Sequence, residues 1–132
     1  MWATDMGRDL LGDNTPLEEV NIVHDGGFYG WPICYSNAVQ DRSFDSSVEA
    51  EKKCTGSVPP HIVFQAHSAP LGLAFIPDSW PEEYHGDLLV SYHGSWNRST
   101  PTGYKIARFD LNTQLKFSGE SDFLSGFLEG NS

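Results

Sequence analysis

Basic residues are scarce in this sequence, which has 8 Lys and Arg against 18 Asp and Glu and a formal net charge of −10. Binding to nucleic acid or to an anionic membrane surface depends mainly on basic side chains, so this balance excludes a general affinity for either. Long apolar runs are also missing, because no stretch approaches the roughly 20 residues that span a bilayer. We therefore expect no nucleic-acid partner and no membrane insertion, and an anionic ligand must find a local basic pocket.

Several common catalytic signatures are also missing. The sequence has no Gly-rich phosphate loop, no nucleophile elbow centred on serine and no HExxH motif. Two adjacent acidic pairs are present, Glu18-Glu19 and Glu82-Glu83, but neighbours on a strand point to opposite faces of a sheet. These pairs are therefore poor candidates for catalysis by paired carboxylates.

The sequence has only two cysteines, Cys34 and Cys54, with a polar segment between them. A disulfide that closes a loop of about 20 residues contributes about 3 kcal/mol to stability. Two free thiols are the main alternative, and metal ligation is a weaker one because no second pair of ligands has suitable spacing. The disulfide is our prediction, and it favours the periplasm or the cell exterior. The first residues lack the basic and apolar regions of a signal peptide.

The composition predicts a β-rich globular chain. A chain of 132 residues with 39% hydrophobic and 13% aromatic content can bury one modest core, so we predict a single domain over residues 1–132. Gly and Pro are scattered and helical periodicity is rare, which favours short strands joined by turns. The predicted strands cover residues 19–23, 61–65, 72–76, 86–92, 104–111 and 114–117.

Two connecting segments have their own signatures. Asn112 and Thr113 predict a tight turn between the last two strands. Residues 36–53 are polar and carry no continuous apolar stripe, so we predict an insertion loop that the cysteines tie at its base and that can hold a helical turn.

The opening loop places Asp5, Asp9 and Asp13 in a Gly-containing segment. Such a loop can bind calcium through carboxylates or through backbone carbonyls. The spacing is not that of an EF-hand, and aspartates that form turns and caps are the alternative interpretation.

Two further segments carry residues that suit ligand binding. His67 precedes a Pro-containing turn, which holds it on a stiff backbone, although a structural histidine is the commoner role for such a residue. His93, Trp96 and Arg98 lie within six residues after a predicted strand. Together they offer a donor, an aromatic face and a cation to a planar anionic ligand, with ordinary packing and solvation as the alternative.

Read together, these segments resemble the glucose/sorbosone dehydrogenase family of six-bladed β-propellers that use pyrroloquinoline quinone (PQQ). The combination of YGWP followed by Cys34, HSAPLG and HGSWNR is far more specific than any one motif. The resemblance runs through WATDMGRDLLGD (2–13), PLEEVNIV (16–23), GGFYGWPIC (26–34), HSAPLGLAF (67–75), GDLLVSYHGSWNR (86–98) and GYKIARF (103–109).

The resemblance implies an all-β fold, namely part of a β-propeller with antiparallel four-stranded blades and a disulfide-tied insertion loop. At about 40 to 50 residues per blade, roughly two blades are present. The chain is then expected to expose sheet faces that a full ring covers, which predicts a homo-oligomer, either a dimer or a trimer.

The resemblance also implies an activity and a set of site residues. Backbone carbonyls of Gly7 and Arg8 become candidate ligands of a calcium ion that also holds PQQ, while His67, His93 and Arg98 become candidate contacts of PQQ. Cys34 and Cys54 resemble a cysteine pair of the sorbosone-type branch. The implied reaction is hydride transfer from a small sugar or aldehyde to PQQ, in the periplasm or outside the cell.

One part of the family's site has no counterpart in these residues. The base that removes the sugar's hydroxyl proton is a histidine in an early blade, upstream of the matched segments, so we assign no catalytic residue here. A ligand-binding or structural propeller module without turnover is therefore the alternative function.

Overall fold

The computed structural model describes residues 1–129, which form two compact units, one from Met1 to Ala66 and the other beginning at His67. Antiparallel pairing joins the strands of every sheet in this described part of the chain. The prediction of an all-β fold built from short antiparallel strands is thus confirmed. Within residues 1–129, no helix combines the length and the apolar character that crossing a membrane requires.

The first unit contains a sheet of three strands, β1 (Trp2–Asp5), β2 (Glu18–Ile22) and β5 (Ile62–Phe64), with β2 in the middle. Val20 of β2 is fully buried on one face, beside the buried Ile62 and Phe64 of β5. Because side chains alternate along a strand, Glu19 lies on the opposite face from Val20. In chain order the elements of this unit are β1 (Trp2–Asp5), β2 (Glu18–Ile22), β3 (Cys34–Tyr35), β4 (Val39–Gln40), α1 (Val48–Thr55) and β5 (Ile62–Phe64).

A disulfide joins Cys34 to Cys54, as predicted, and closes a loop of residues 34–54. This disulfide-closed loop is more regular than the sequence predicts, since it contains the β3-β4 hairpin and the eight-residue helix α1. Ser47 caps the helix, because its Oγ accepts a hydrogen bond from the backbone N–H of Ala50. Apolar periodicity does not reveal this helix because only Ala50 and Cys54 of its residues are buried.

The second unit is a meander of four antiparallel strands in the order β6-β7-β8-β9, which is the form of a propeller blade. The strands are β6 (Pro70–Phe75), β7 (Leu88–Tyr92), β8 (Lys105–Leu111) and β9 (Phe117–Leu124). Cross-strand pairs of buried side chains fix the register of β7 against β8, with Leu88 opposite Phe109 and Val90 opposite Ala107. The predicted partial β-propeller with a disulfide-tied loop is therefore confirmed.

The last hairpin differs from the prediction. The strand predicted over residues 114–117 is wrong, because β9 begins at Phe117. The Oδ1 atom of Asn112 accepts hydrogen bonds from the backbone N–H groups of Gln114 and Lys116, and Leu115 adopts a left-handed conformation with φ of 60°. The turn is thus wider than the predicted Asn112-Thr113 pair, which moves the start of the strand along the chain.

Candidate functional site

A small cavity of about 30 Å³ lies in the first unit, beside the end of β1. A space of this size holds one or two water molecules or an ion. The residues around it include both predicted metal candidates, Gly7 and Arg8. The acidic residues in its wall are Asp5, Glu19 and Asp41.

Asp5 and Glu19 form a carboxylate pair in this wall, because they lie directly opposite each other in the pairing of β1 with β2. Glu19 is only 5% exposed. The pKa of Glu19 is raised to about 7, mainly by burial and also by the charge of Asp5, although the amide of Asn21 opposes the rise through a 3.0 Å hydrogen bond to Oε2. Burial also raises the pKa of Asp5. The pair therefore retains protons at a pH where exposed carboxyl groups are ionised.

The turn after β1 is held from the other face of the sheet. Glu18 is buried, and its Oε2 accepts a hydrogen bond of 2.9 Å from the backbone N–H of Gly7. A Cβ atom on Gly7 would lie 2.2 Å from Cγ of Pro16, which is a severe overlap. Only glycine fits this close approach, so the position of the turn depends on Gly7 having no side chain.

Arg8 ties the same turn to the disulfide-closed loop. Its Nε lies 2.7 Å from Oδ2 of Asp41, and its Nη2 donates to Oγ of Ser43. Burial raises the pKa of Asp41, but the Ser43 hydroxyl, the Arg8 cation and the backbone N–H groups of Phe44 and Ser43 outweigh burial and leave that pKa below its ordinary value. Asp41 is therefore an anion at neutral pH and faces the Arg8 cation.

The three aspartates of the opening loop do not build a metal centre from carboxylates. Within residues 1–129, no group of three or more His, Cys, Asp or Glu side chains is arranged to hold a metal ion. A centre made from the carboxylates of Asp5, Asp9 and Asp13 is therefore not observed in this part of the chain. The alternative of backbone carbonyls at Gly7 and Arg8 needs no such group and stays a prediction.

The chemistry around Gly7 fits calcium. Calcium prefers hard oxygen ligands, including backbone carbonyls and carboxylates, and Asp5 and Glu19 share the ion-sized cavity with Gly7 and Arg8. The Oδ1 atom of Asn21, which lies on the same sheet face as Glu19, is buried without a hydrogen-bond partner. A buried oxygen in this state costs free energy unless a donor or a cation satisfies it. The residues present thus suit a bound cation.

In the second unit, the two predicted histidine segments lie side by side. The backbone N–H of His93 donates to the carbonyl of Ala69 at 2.9 Å, and that of Gly94 donates to Ser68 at 3.0 Å. His67 is 5% exposed and has a φ of 65°, whereas the side chain of His93 is exposed. His93 is therefore the accessible histidine of this pair, and His67 is enclosed by the protein.

Arg98 lies in a loop that follows β7 and is held in place by internal hydrogen bonds. The backbone N–H of Ser95 donates to the carbonyl of Thr102 at 2.9 Å, and Oγ of Ser95 accepts from the N–H of Thr102 at 3.0 Å. The hydroxyl of Tyr104 donates to the carbonyl of Ser95. The loop presents Trp96 with 73% of its surface exposed. The predicted cofactor residues His67, His93 and Arg98 thus belong to two hydrogen-bonded segments of one unit.

Two features of the first unit are missing from the predicted site. Asp5 pairs with Glu19 across β1 and β2, and finding this pair requires the register of a strand that is absent from the predicted set. Asp41 lies in the segment predicted as a polar loop, where its role depends on the distant Arg8. The sequence signal at Asp41 is local, since Asp-x-Ser favours a turn closed by the carboxylate, as observed with Ser43.

A protein-family model described as TrAA12-like matches residues 9–122, which is most of this 132-residue chain. The chain belongs to the TrAA12-like family. Gly7 and Arg8 precede the matched residues, whereas His67, His93 and Arg98 lie inside them.

Curated relatives are longer than this TrAA12-like chain. A Borreliella burgdorferi protein, described as uncharacterized, is 34% identical over 132 residues, which covers 98% of this chain and 34% of that protein. A pyrroloquinoline quinone-dependent pyranose dehydrogenase of Coprinopsis cinerea is 28% identical over 118 residues, covering 75% of this chain and 16% of the enzyme. The chain therefore spans about a third of the first relative and less of the second.

Solved structures support the same fold. The holo form of the pyranose dehydrogenase PQQ domain from Coprinopsis cinerea matches with a TM-score of 0.67 and 24% identity, over 94% of this chain and 39% of that one. A calcium structure of Trichoderma reesei Carbohydrate-Active Enzymes Family AA12 also gives a TM-score of 0.67 at 24% identity, over 95% of this chain and 38% of that one. Identities this low establish the fold of the TrAA12-like chain and leave its chemistry to be argued from its own residues.

Proposed function

We propose that this chain supplies the calcium turn and part of the PQQ pocket of a quinoprotein sugar dehydrogenase of the glucose/sorbosone type. The observation that carries this proposal is the turn at Gly7 and Arg8, which borders an ion-sized cavity whose wall contains two opposed carboxyl groups. The PQQ-dependent pyranose dehydrogenase among the relatives supports the same class of cofactor and substrate.

Each unit has a distinct task in this proposal. In the first unit, Gly7 and Arg8 offer backbone carbonyls to calcium, and Asp5 and Glu19 offer carboxyl oxygens beside it, from which a bound cation would displace the retained protons. In the second unit, His93 and Arg98 offer donors to the carboxylates of PQQ. When bound, PQQ would supply an acceptor for the two electrons of a hydride from an aldose and calcium would supply a Lewis acid beside it, whereas no residue of this chain is assigned as the base for the sugar's hydroxyl proton.

Binding of PQQ is the first test. Purified protein with calcium is expected to shift the visible absorption of PQQ, and removal of calcium by a chelator is expected to reverse the shift. His93→Ala is expected to weaken PQQ binding about tenfold, since a hydrogen bond to a charged group contributes about 1.5 kcal/mol or more. His24→Ala, which removes an exposed histidine of the first unit, is the matched control. An unchanged PQQ spectrum at millimolar calcium would count against the proposed function.

The alternative is a PQQ-binding or structural module without turnover. It is favoured by the resemblance, since the residues that match the family do not include its catalytic histidine. Reduction of a dye with an aldose separates the two functions, because binding of PQQ without dye reduction supports the module and reduction by the chain supports the enzyme.

We also propose that the chain works as a homo-oligomer, a dimer or a trimer, in the periplasm or outside the cell. The disulfide supports an oxidising compartment. An open apolar depression on the four-stranded sheet, lined by Leu73, Leu89 and Ile106 among others, supports association with another copy. Light scattering behind a sizing column is expected to give a dimer or trimer mass, and Ile106→Glu is expected to lower it. A folded monomer at micromolar concentration would contradict the homo-oligomer.

A further inference from the structure

We propose that Asp41 is a positioning residue for the calcium turn, because it anchors Arg8 and so fixes the backbone that carries the Gly7 and Arg8 carbonyls. The inference rests on the proposed function, and it assigns a purpose to the disulfide-closed loop (residues 34–54). Asp41 touches neither substrate nor cofactor in this role and acts only through Arg8.

The contact between Arg8 and Asp41 is direct, and its carboxylate side is buried while the Arg8 side chain is partly exposed. The two side chains meet at 2.7 Å, with Asp41 only 3% exposed. Ser43 completes the cluster, because its Oγ accepts from Arg8 and donates to Oδ1 of Asp41. Both oxygens of the Asp41 carboxylate therefore have a partner, because Oδ2 lies against the Arg8 cation and Oδ1 accepts from Ser43.

The backbone of Asp41 is itself fixed within the loop. Its N–H donates to the carbonyl of Ile33 at 2.8 Å, and its carbonyl accepts from Phe44 and Asp45 at 3.0 Å and 2.9 Å. The neighbouring residue Gln40 pairs with Cys34, one end of the disulfide. Asp41 is thus a rigid anchor rather than a side chain on a mobile loop, and this rigidity is what a positioning role requires.

The expected effect lies in metal affinity more than in stability. Arg8 is about a third exposed, so solvent screens its ion pair and limits the contribution of that pair to the stability of the fold. Groups that orient metal ligands, by contrast, typically change metal affinity by about 10-fold to 100-fold when they are replaced. A positioning role therefore predicts weak binding in a protein that remains folded.

Terbium(III), a luminescent substitute for calcium, provides the test on the full chain. Trp31 lies in the cavity wall and can sensitise the bound ion. Asp41→Asn is expected to weaken terbium binding at least about tenfold and to shorten the luminescence lifetime in H₂O relative to D₂O, because looser ligands admit more water. Asp45→Asn is the matched control, since it makes the same change four residues along the same loop, where Oδ1 of Asp45 accepts a hydrogen bond from the backbone N–H of Ser47 and does not contact Arg8.

A double-mutant cycle identifies Arg8 as the intermediary. In an Arg8→Gln background, Asp41→Asn is expected to cause little further loss of affinity, because the contact through which it acts is already gone. Asp41→Glu, which keeps the carboxylate, is expected to restore most of the affinity. Additive losses in the cycle would show that Asp41 acts by another route, and equal affinity of Asp41→Asn and wild type would overturn the positioning role.

Hydrogen exchange separates failure of this inference from failure of the proposed function. If wild-type protein binds no terbium, the calcium site is wrong, and amide exchange of residues 6–9 in ligand-free protein then decides the inference alone. Asp41→Asn is expected to speed exchange at the Gly7 amide, whereas Asp45→Asn leaves it unchanged. Protection of Gly7 that is identical in wild type and Asp41→Asn would overturn the positioning role whether or not a metal binds.

Discussion

Glu19→Gln is expected to flatten the pH dependence of stability and to make the protein more stable than wild type above pH 7. Glu19 has its pKa raised from 4.5 to about 7 by burial in the folded state, with the charge of Asp5 adding to the rise. The folded protein then binds more protons than the unfolded chain between these two values. The contribution of Glu19 to wild-type stability therefore falls as the pH rises through this window, by on the order of 3 kcal/mol, and that contribution is level on either side of it.

Urea unfolding between pH 4 and pH 8 measures this effect. Glutamine has nearly the shape of a protonated glutamate and cannot ionise. The variant should therefore lose most of the fall in stability with rising pH. A smaller fall should remain, because the pKa of Asp5 is also raised. Glu82→Gln, which removes an exposed carboxylate of the second unit, should follow the wild-type profile. A Glu19→Gln profile that is parallel to wild type would show that Glu19 is ionised throughout this range.

Removal of the disulfide is expected to cost about 3 kcal/mol, the entropy estimate for a closed loop of this length. The suitable variant replaces both cysteines with alanine (Cys34→Ala and Cys54→Ala). Alanine, unlike serine, leaves no hydroxyl group in the buried site of Cys54. Denaturant unfolding should give a lower midpoint. Hydrogen exchange should place the loosening within the first unit, including helix α1.

Reduction of the wild-type protein supplies the control for this variant. A reductant should lower the midpoint of the wild type to near that of the double variant and should leave the variant unchanged. A variant as stable as the oxidised wild type would show that the hairpin and α1 hold the loop without the covalent link.

The sequence predicts the fold well where strands alternate and poorly where side chains organise turns. The strand predicted over residues 104–111 matches β8 to within one residue, because its inward positions carry Ala107, Phe109 and Leu111, all buried. By contrast, β9 is exposed along most of its length, so no alternation marks where it begins. The sequence predicts no more than a helical turn where the eight-residue helix α1 forms, since this helix depends on the Ser47 cap and the disulfide rather than on an apolar face.

In the candidate site, residues in local motifs are likewise predictable from the sequence, whereas contacts between distant residues are not. Gly7, His67 and His93 lie in recognisable motifs, so the resemblance predicts their roles from local sequence, and those roles stay predictions. The sequence predicts that Glu18 and Glu19, as neighbours on one strand, point to opposite faces and do not act as a pair, and their positions in β2 agree with this. The true partner of Glu19 is Asp5, and only the pairing of β1 with β2 reveals it. Contacts between distant residues therefore decide the electrostatics of this cavity.

A crystal structure of the chain grown with calcium and PQQ would show whether the turn at Gly7 and Arg8 binds the ion, because anomalous scattering locates calcium without assumptions about its ligands. An anomalous peak is expected at about 2.3 to 2.6 Å from the carbonyl oxygens of Gly7 and Arg8, in contact with PQQ. Bound PQQ with calcium at any other place, or with no calcium beside Gly7, would contradict the proposed calcium turn.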